Sequence, residues 1–205
     1  MSKATKKTSP QKSTPARDVV EYLEVFVFAV AAVVLLLTFC FRLCEVDGPS
    51  MNQTLTHGEQ LLISDAFYTP KQGDVIVFHL TDSPVEYYNK PIVKRVIATG
   101  GQYVKIDYQQ NMVFVSSDEI FTDDERIDES SYAYFSGYGN TWREAVLHEE
   151  AEVFAVPEGH LFVMGDNRNN SADSRNKDIG FIREECVLGR VICRVLPLSS
   201  FGRIE

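Results

Sequence analysis

The longest apolar run in the sequence covers residues 25–41 and contains no charged side chain. A run of this length is at the short end for a helix that crosses a bilayer, but Tyr22 and Leu23 extend it on the N-terminal side. A cleavable signal peptide is the competing interpretation, but its apolar core is usually shorter and a small-x-small pair would directly follow. We therefore predict an uncleaved transmembrane anchor over residues 19–42, which leaves residues 43–205 to fold outside the bilayer.

The segments on the two sides of this run differ in charge. Residues 1–18 form a basic tail rich in Ser, Thr, Lys and Pro, which cannot bury enough apolar surface to fold and is predicted to be disordered. The whole chain carries a formal net charge of −9, so the part after the run is still more acidic. This asymmetry predicts a cytoplasmic N-terminus and a folded domain on the outer side of the cell membrane. The acidic balance argues against a nucleic-acid partner.

Beyond residue 50 the sequence is typical of β-structure. Short runs rich in Val, Ile, Phe and Tyr are bounded by Gly, Pro, Asn or Asp, and no ten-residue helical pattern separates them. This spacing predicts an all-β domain of antiparallel sheets, arranged as a sandwich or a partly open barrel. The predicted strands lie at 60–63, 74–80, 92–98, 103–108, 112–115, 152–156, 160–164 and 187–196.

Residues 118–150 interrupt this β-pattern. Seven acidic residues crowd into positions 118–129, and a stretch rich in Tyr, Gly and Ser follows them. We predict a surface insertion whose acidic face is solvated, with an acidic substrate clamp as the alternative.

The cysteines and histidines do not indicate a metal or cofactor site. Cys40 and Cys44 are one helical turn apart at the end of the apolar run, and Cys186 and Cys193 flank a predicted strand. A Cys186–Cys193 disulfide is possible but optional for a domain with its own core. No Cys/His grouping has metal-ligand spacing, so we expect neither a metal nor a cofactor.

Ser50 is the first candidate for chemistry because it follows the apolar run by nine residues. Most Gly-Pro-Ser sequences are simply turns. If Ser50 were instead a nucleophile, it would be held at the height of the lipid head groups and would need a base within hydrogen-bond reach. His57 is the nearest histidine, but no acid is obviously placed to orient it. A lysine with a lowered pKa is the other base that serves serine nucleophiles.

Lys94 is the best candidate for that base. It lies in a predicted strand whose neighbours are apolar, and alternation places it on the face opposite to Arg95. One basic side chain therefore points to each side of the sheet, and at least one of the two must be partly buried. The alternative is that both side chains reach water from an edge strand.

The polar segment 165–175 directly follows an apolar strand. A calcium-binding loop is excluded because Arg168 occupies a position that needs an oxygen ligand and no terminal glutamate follows. We predict instead an ordered loop in which aspartates and arginines pair and fix Ser171 beside a neutral amine. The residues of this predicted network are Asp166, Arg168, Asp173 and Arg175.

Taken together, these segments resemble the bacterial type I signal peptidases, membrane-anchored serine proteases that remove signal peptides from exported proteins. The segment 48–55 is similar to the nucleophile segment of that family, and 73–78 to its next strand. The residues from Lys94 to Ile97 resemble the segment of the general-base lysine, and 165–175 matches the last signature almost throughout. The resemblance covers residues 19–196 in the order of the family.

The resemblance implies roles for individual residues. Ser50 would be the nucleophile and Lys94 the neutral base that accepts its proton. Ser171 would orient the Lys94 amine through a hydrogen bond, and Asp173 would organise the loop. Two arginines are the expected partners of that aspartate, Arg175 and Arg95.

The same resemblance implies the surroundings of the nucleophile. The Ser50 backbone N–H would be one oxyanion donor, and the second donor is left open because Gly48 stands where some relatives carry serine. Met51 would help to line shallow pockets for small side chains, which implies cleavage after Ala-x-Ala sequences. The chain departs from the family pattern at Gln53, which replaces a proline, and at Asn169, which replaces an aspartate.

The function expected from this resemblance is cleavage of signal peptides from exported preproteins by a Ser50/Lys94 dyad. The enzyme is expected to be a monomer that crosses the membrane once. Two alternatives remain. One is a self-cleaving Ser/Lys protease of the repressor type, which would be soluble and carry a DNA-binding module. The other is an inactive anchored β-domain that only binds secreted proteins.

Overall fold

The structure is a computed structural model, and it describes residues 15–81, 89–135 and 152–204. The chain divides into two compact units, Met1–Phe39 and Cys40–Glu205. The acidic insertion predicted at 118–150 is therefore described only as far as residue 135.

The first unit contains one long helix, α1, which spans Pro15–Cys40. Proline suits the first helical position because its missing N–H has no intrahelical partner there, and Asp18 in the first turn complements the positive end of the helix dipole. The segment Arg17–Cys40 is long and apolar enough to cross a membrane, and none of its most apolar stretch is buried. The helix begins inside the tail predicted at 1–18 and ends two residues before the predicted anchor does, because Arg42 already belongs to a strand. Residues 1–14 lie outside the described part of the chain.

The second unit is built from two antiparallel sheets, as the predicted fold class requires. Ten strands are described, and their bounds are β1 Arg42–Glu45, β2 Gln60–Ser64, β3 Val75–His79, β4 Pro91–Thr99, β5 Tyr103–Asp107, β6 Met112–Ser116, β7 Glu152–Ala155, β8 His160–Met164, β9 Ile182–Arg183 and β10 Val187–Leu196. The larger sheet has seven strands in the order β1-β2-β10-β3-β4-β8-β9, and the smaller has the order β6-β5-β7. Short 3-10 helices lie at Asp123–Glu125, Glu184–Cys186 and Leu198–Ser200.

All eight predicted strands are present, and no predicted end differs from the observed one by more than one residue. The sequence pattern missed β1 and β9. β1 is a four-residue edge strand with a charged residue at each end, and β9 has two residues, so neither is long enough to show alternation.

Three buried clusters form the core. One lies between the two sheets and joins Phe162 and Met164 of β8 to Val104 and Ile106 of β5. The other two lie on opposite faces of the larger sheet. β3 contributes Val75 and Val77 to one cluster and Ile76 and Phe78 to the other, so the strand is buried on both sides and reads as a continuous apolar run.

Candidate active site

Ser50 lies in the turn that follows β1. Gly48 enters this turn with a φ of +97°, which favours glycine because a side chain would be strained there. The turn is closed by a hydrogen bond in which Asn52 N–H donates to Pro49 O at 3.0 Å. Met51 is fully buried in the core. The Ser50 side chain is thus presented from a turn that is fixed on both sides.

Lys94 reaches Ser50 from the middle of β4. Its Nζ lies 2.7 Å from Ser50 Oγ and also donates to Val93 O at 2.8 Å. The residue is only 3% exposed. Burial lowers the pKa of Lys94 to about 8, although the negative charges of Asp173 and Asp166 oppose this shift. A large fraction of Lys94 is therefore neutral in mildly alkaline solution.

The loop 165–175, which follows β8, is organised around the Asp173 carboxylate. This carboxylate accepts hydrogen bonds from Gly165 N–H at 2.9 Å, Ser171 Oγ at 2.7 Å and Arg175 Nε at 2.7 Å. Burial would raise the pKa of Asp173, but the Arg175 guanidinium and these hydrogen bonds hold it below its usual range. Asp173 is consequently an anion in the interior of the protein, fully paired.

The neighbour of Lys94 in the strand forms a second buried ion pair. Arg95 binds Asp166 through both Nε and Nη2, at 2.9 and 2.8 Å, and donates from Nη1 to Gly73 O at 2.8 Å. Asp166 also accepts a 2.6 Å hydrogen bond from Thr54, in the turn after Ser50. Both basic residues of β4 are thus buried, one on each side of the sheet, as alternation predicts.

The loop also contacts the backbone of Ser50 and Pro49. Asn167 N–H donates to Ser50 O at 3.0 Å, and its side-chain amide donates to Pro49 O at 3.1 Å. At Gly165 an added Cβ would lie 2.5 Å from Ser50 O and 2.2 Å from Ser171 Oγ. Only glycine allows the loop to approach Ser50 this closely.

A cleft of about 290 Å³ opens in front of the Ser50 and Lys94 side chains. Its apolar lining comes from Leu61, Ile92, Val93 and Ala172. Lys90 and Asp47, which both line this cleft, form an ion pair with 2.6 Å between Lys90 Nζ and Asp47 Oδ2.

The family model described as "Signal peptidase, peptidase S26" matches residues 19–196 of this chain, which contain every residue of this site. The chain belongs to this family. It is a serine peptidase, a hydrolase. The match begins inside α1 and ends with β10.

Individual relatives of the S26 peptidase are similar over most of their length. A signal peptidase I of Bacillus caldolyticus is 31% identical over 85% of this chain and 90% of its own length. A signal peptidase I of Bacillus licheniformis is 30% identical over 95% of this chain and 98% of its own. A probable signal peptidase I-1 of Synechocystis is 28% identical over 93% of this chain and 89% of its own.

The S26 peptidase orients its lysine differently from the expectation. Ser171 was expected to bind the Lys94 amine, but its hydroxyl donates to Asp173. Among the described residues, the second partner of the amine is the Val93 carbonyl. Ser171 still lines the cleft beside Lys94.

Two residues expected to surround the nucleophile lie in different environments. Met51 has no exposed surface and is not among the residues that line the cleft. It packs in the same buried cluster as Leu61, and Leu61 does line the cleft. Gly48 has no side chain to offer as an oxyanion donor, and its backbone N–H donates to His57 Nδ1 at 3.3 Å. His57 therefore contacts the turn of the S26 peptidase rather than serving Ser50, whose basic neighbour in the described residues is Lys94.

The sequence pattern missed one partner of the loop. Arg168 was expected to pair within 165–175, but it binds Glu129, which lies in the acidic segment predicted to be solvated. The Tyr132 ring lies near the same arginine, with 5.9 Å between the ring centroid and the guanidinium carbon. A Glu surrounded by six other acids gave no signal of its own in the sequence.

The four cysteines of the S26 peptidase are free, so Cys186 and Cys193 are not bridged. Cys44 lines the cleft. Burial, reinforced by the charge of Glu45, raises the pKa of its thiol, which leaves it protonated and poorly nucleophilic at neutral pH.

Proposed function

We propose that this S26 peptidase cleaves the signal peptides of exported preproteins, with Ser50 as the nucleophile and Lys94 as the general base. The observation that carries the proposal is the 2.7 Å distance between Lys94 Nζ and Ser50 Oγ. This is within the reach required for direct proton transfer. The family membership and the signal peptidase relatives support the same substrate class.

Acylation begins with the neutral Lys94 amine. One of its N–H groups donates to Val93 O, which turns the lone pair toward the Ser50 hydroxyl. Ser50 Oγ attacks the scissile carbonyl carbon as its proton passes to Lys94 Nζ. The negative charge on the carbonyl oxygen is stabilised by the Ser50 backbone N–H.

The leaving amine of the mature protein then takes the proton from the Lys94 ammonium, and the C–N bond breaks. The signal peptide remains as an ester on Ser50 Oγ. The same lysine, neutral again, removes a proton from a water molecule that attacks this ester. Release of the signal peptide restores the Ser50 hydroxyl.

The lining of the cleft supports binding of an apolar substrate segment. Leu61, Ile92, Val93 and Ala172 offer an apolar surface to substrate side chains next to the dyad. We propose a preference for Ala-x-Ala sequences on the basis of the family membership.

Membrane anchoring forms part of the proposal. The apolar length of α1 supports a single membrane span. Basic residues before the span support a cytoplasmic N-terminus and an extracytoplasmic peptidase domain. The eight residues between the apolar run and Ser50 form a short tether, which would keep the nucleophile where a signal peptide leaves the bilayer. One chain supplies the whole dyad and its loop, which supports a monomeric enzyme.

The test is a preprotein cleavage assay with the full chain in lipid vesicles. We expect Ser50→Ala and Lys94→Ala to lower kcat/KM by about 10⁴-fold or more, because either change removes a group that acts in concert with the other. Ser117→Ala and Lys71→Ala, at exposed positions, are the matched controls and should cleave like the parent. Parental cleavage by either dyad variant would overturn the mechanism, and preprotein binding without cleavage by the parent would favour the inactive domain.

The pH profile gives a second test of the same dyad. Because the base must be neutral and the pKa of Lys94 is about 8, kcat/KM should rise with pH through a midpoint near that value. At pH 7 about one-tenth of the chains would carry the neutral amine. A rate that does not change between pH 6 and pH 9 would contradict Lys94 as the base.

A further inference from the structure

We propose that Glu129 is a positioning residue for catalysis, which acts through Arg168 to hold the loop 165–175 against the nucleophile. The inference rests on the proposed function of the Ser50/Lys94 dyad. It assigns a role to one member of the acidic segment 118–129 that composition does not distinguish from its neighbours. The other six acids of that segment are exposed or half-buried, whereas Glu129 is 9% exposed.

The contact between Glu129 and Arg168 is a bidentate ion pair. Arg168 Nη1 donates to Glu129 Oε2 at 2.7 Å, and Nη2 donates to Oε1. Arg168 has no exposed surface, and its Nε donates to Gly165 O at 3.1 Å. Since a buried guanidinium is tolerated only with a counter-ion and satisfied N–H groups, Glu129 is what allows Arg168 to stay inside.

Backbone hydrogen bonds attach the same segment to the loop. Tyr134 N–H donates to Asp166 O at 2.7 Å, and Arg168 N–H donates to Tyr134 O at 2.8 Å. Asn167, between these two loop residues, donates its N–H to Ser50 O at 3.0 Å. Tyr134 is thus hydrogen-bonded to the two loop residues on either side of Asn167, and Asn167 is hydrogen-bonded to Ser50.

Arg168 is also connected to the surroundings of Lys94 through Arg175 and Asp173. Its carbonyl accepts a 3.1 Å hydrogen bond from Arg175, the partner of Asp173. The charged groups that act on the Lys94 amine are Asp173, Asp166 and Arg175, and all three belong to this loop. Tyr132 closes the arrangement, with the Arg95 guanidinium 4.0 Å above its ring.

Loss of the Glu129 charge would leave Arg168 unpaired and draw water toward it. A loosened loop would misplace the Ser50 backbone and admit water to the Lys94 amine. Because burial is the main cause of the lowered pKa of Lys94, hydration would raise that pKa. A defect in positioning therefore shows in kcat and in the pH profile, which a merely structural role would leave unchanged in the folded fraction.

The experiment compares Glu129→Gln with Glu119→Gln in the full chain, in vesicles, over pH 6 to 10. Glu119 is an exposed glutamate of the same segment, so its variant should match the parent. For Glu129→Gln we expect kcat to fall by about tenfold or more, with KM changed by less than about threefold. We also expect the midpoint of the pH profile to move to higher pH.

Circular dichroism and thermal unfolding identify the folded fraction of each variant. A folded Glu129→Gln protein with parental kcat and parental midpoint would overturn the proposal. If that variant does not fold, the double variant Glu129→Leu/Arg168→Met decides, because apolar replacement of a whole buried pair preserves folding in other proteins. Because the double variant leaves no unpaired charge to attract water, kcat is its readout: a reduced kcat supports the proposal, and a parental kcat overturns it.

The parent and Ser50→Ala separate this inference from the proposed function. If the parent cleaves and neither Ser50→Ala nor Lys94→Ala does, the dyad stands whatever Glu129→Gln shows. If the parent and Ser50→Ala cleave alike, the proposed function itself fails.

Discussion

The loop 165–175 and the acidic segment 118–129 are both rich in charged residues, but these residues are largely buried in the loop and largely exposed in the segment. In the loop, Asp166, Arg168 and Asp173 have no exposed surface. In the acidic segment every carboxylate but that of Glu129 reaches solvent. The difference lies in the partners, since a charge is kept inside a protein only where an opposite charge meets it with satisfied hydrogen bonds. Charge density alone therefore does not reveal burial.

The largest expected effect comes from removing a charge on the buried side of this comparison. Asp173→Asn keeps the shape of the side chain but removes the buried negative charge that Arg175 binds, so we expect the free energy of unfolding to fall by about 3–5 kcal/mol. The negative charge of Asp173 raises the pKa of Lys94, so its loss should move the midpoint of the pH–activity profile below 8. Chemical denaturation and the pH dependence of kcat/KM measure the two effects.

Asp128→Asn is the matched control on the exposed side. The pKa of Asp128 is lowered by hydrogen bonds from Ser130, but the carboxylate remains in water. Equal destabilisation by the two aspartate variants would break the contrast between loop and segment. An unchanged midpoint in Asp173→Asn would contradict the assigned electrostatic role, and an upward shift would show that hydration of the Lys94 amine outweighs the lost charge.

A smaller effect is expected from a single methyl group in the loop. Gly165→Ala would place a Cβ 2.2 Å from Ser171 Oγ and 2.5 Å from the Ser50 carbonyl oxygen, so the loop must move away. We expect a loss of about 1–3 kcal/mol in the free energy of unfolding. A displacement of about 1 Å at the nucleophile would lower kcat/KM by about 100-fold.

Gly202→Ala serves as the control because an added Cβ meets nothing within 4 Å there. Kinetics and thermal unfolding of the two alanine variants measure whether the loop is as tightly fitted as its contacts indicate. Parental kcat/KM in Gly165→Ala would show that the loop gives way without disturbing the dyad.

The smallest effect is expected on the solvated side. Asp124 lies in the exposed 3-10 helix of the acidic segment, and Asp124→Asn should change Tm by less than about 2 °C. Cleavage of a preprotein should be unaffected. A clear loss of activity here would revive the alternative that the acidic face clamps the substrate.

Much of the fold could be predicted because its signals are local. Runs of β-branched and aromatic residues marked eight strands, and alternation along β4 placed Lys94 and Arg95 on opposite faces. β1 escaped because four residues, two of them charged, carry no periodicity. Its edge position and its register with β2 are set by tertiary pairing.

The site was predictable as far as its residue types imply their chemistry. A serine, a lysine in an apolar strand and a charged loop indicated a nucleophile, a base and an ion-pair network. The pairing inside that network was not predictable, since Arg168 and Glu129 are 39 residues apart and either could have bound many partners. The hydrogen bond from Lys94 to the Val93 carbonyl could not be predicted from the sequence either, because every residue carries a backbone carbonyl.

The strand order has a consequence for the biogenesis of the enzyme. The β1–β2 hairpin presents Ser50, and the β3–β4 hairpin presents Lys94, yet β10, the last strand in the chain, lies between them in the sheet. β4 can pair with β8 earlier, but β2 and β3 have no shared neighbour until β10 has been synthesised, and such non-local pairing is intrinsically slow. A nascent copy on the ribosome therefore already contains Ser50 and Lys94 but not the complete sheet that brings them together, which delays proteolytic competence until β10 has been synthesised.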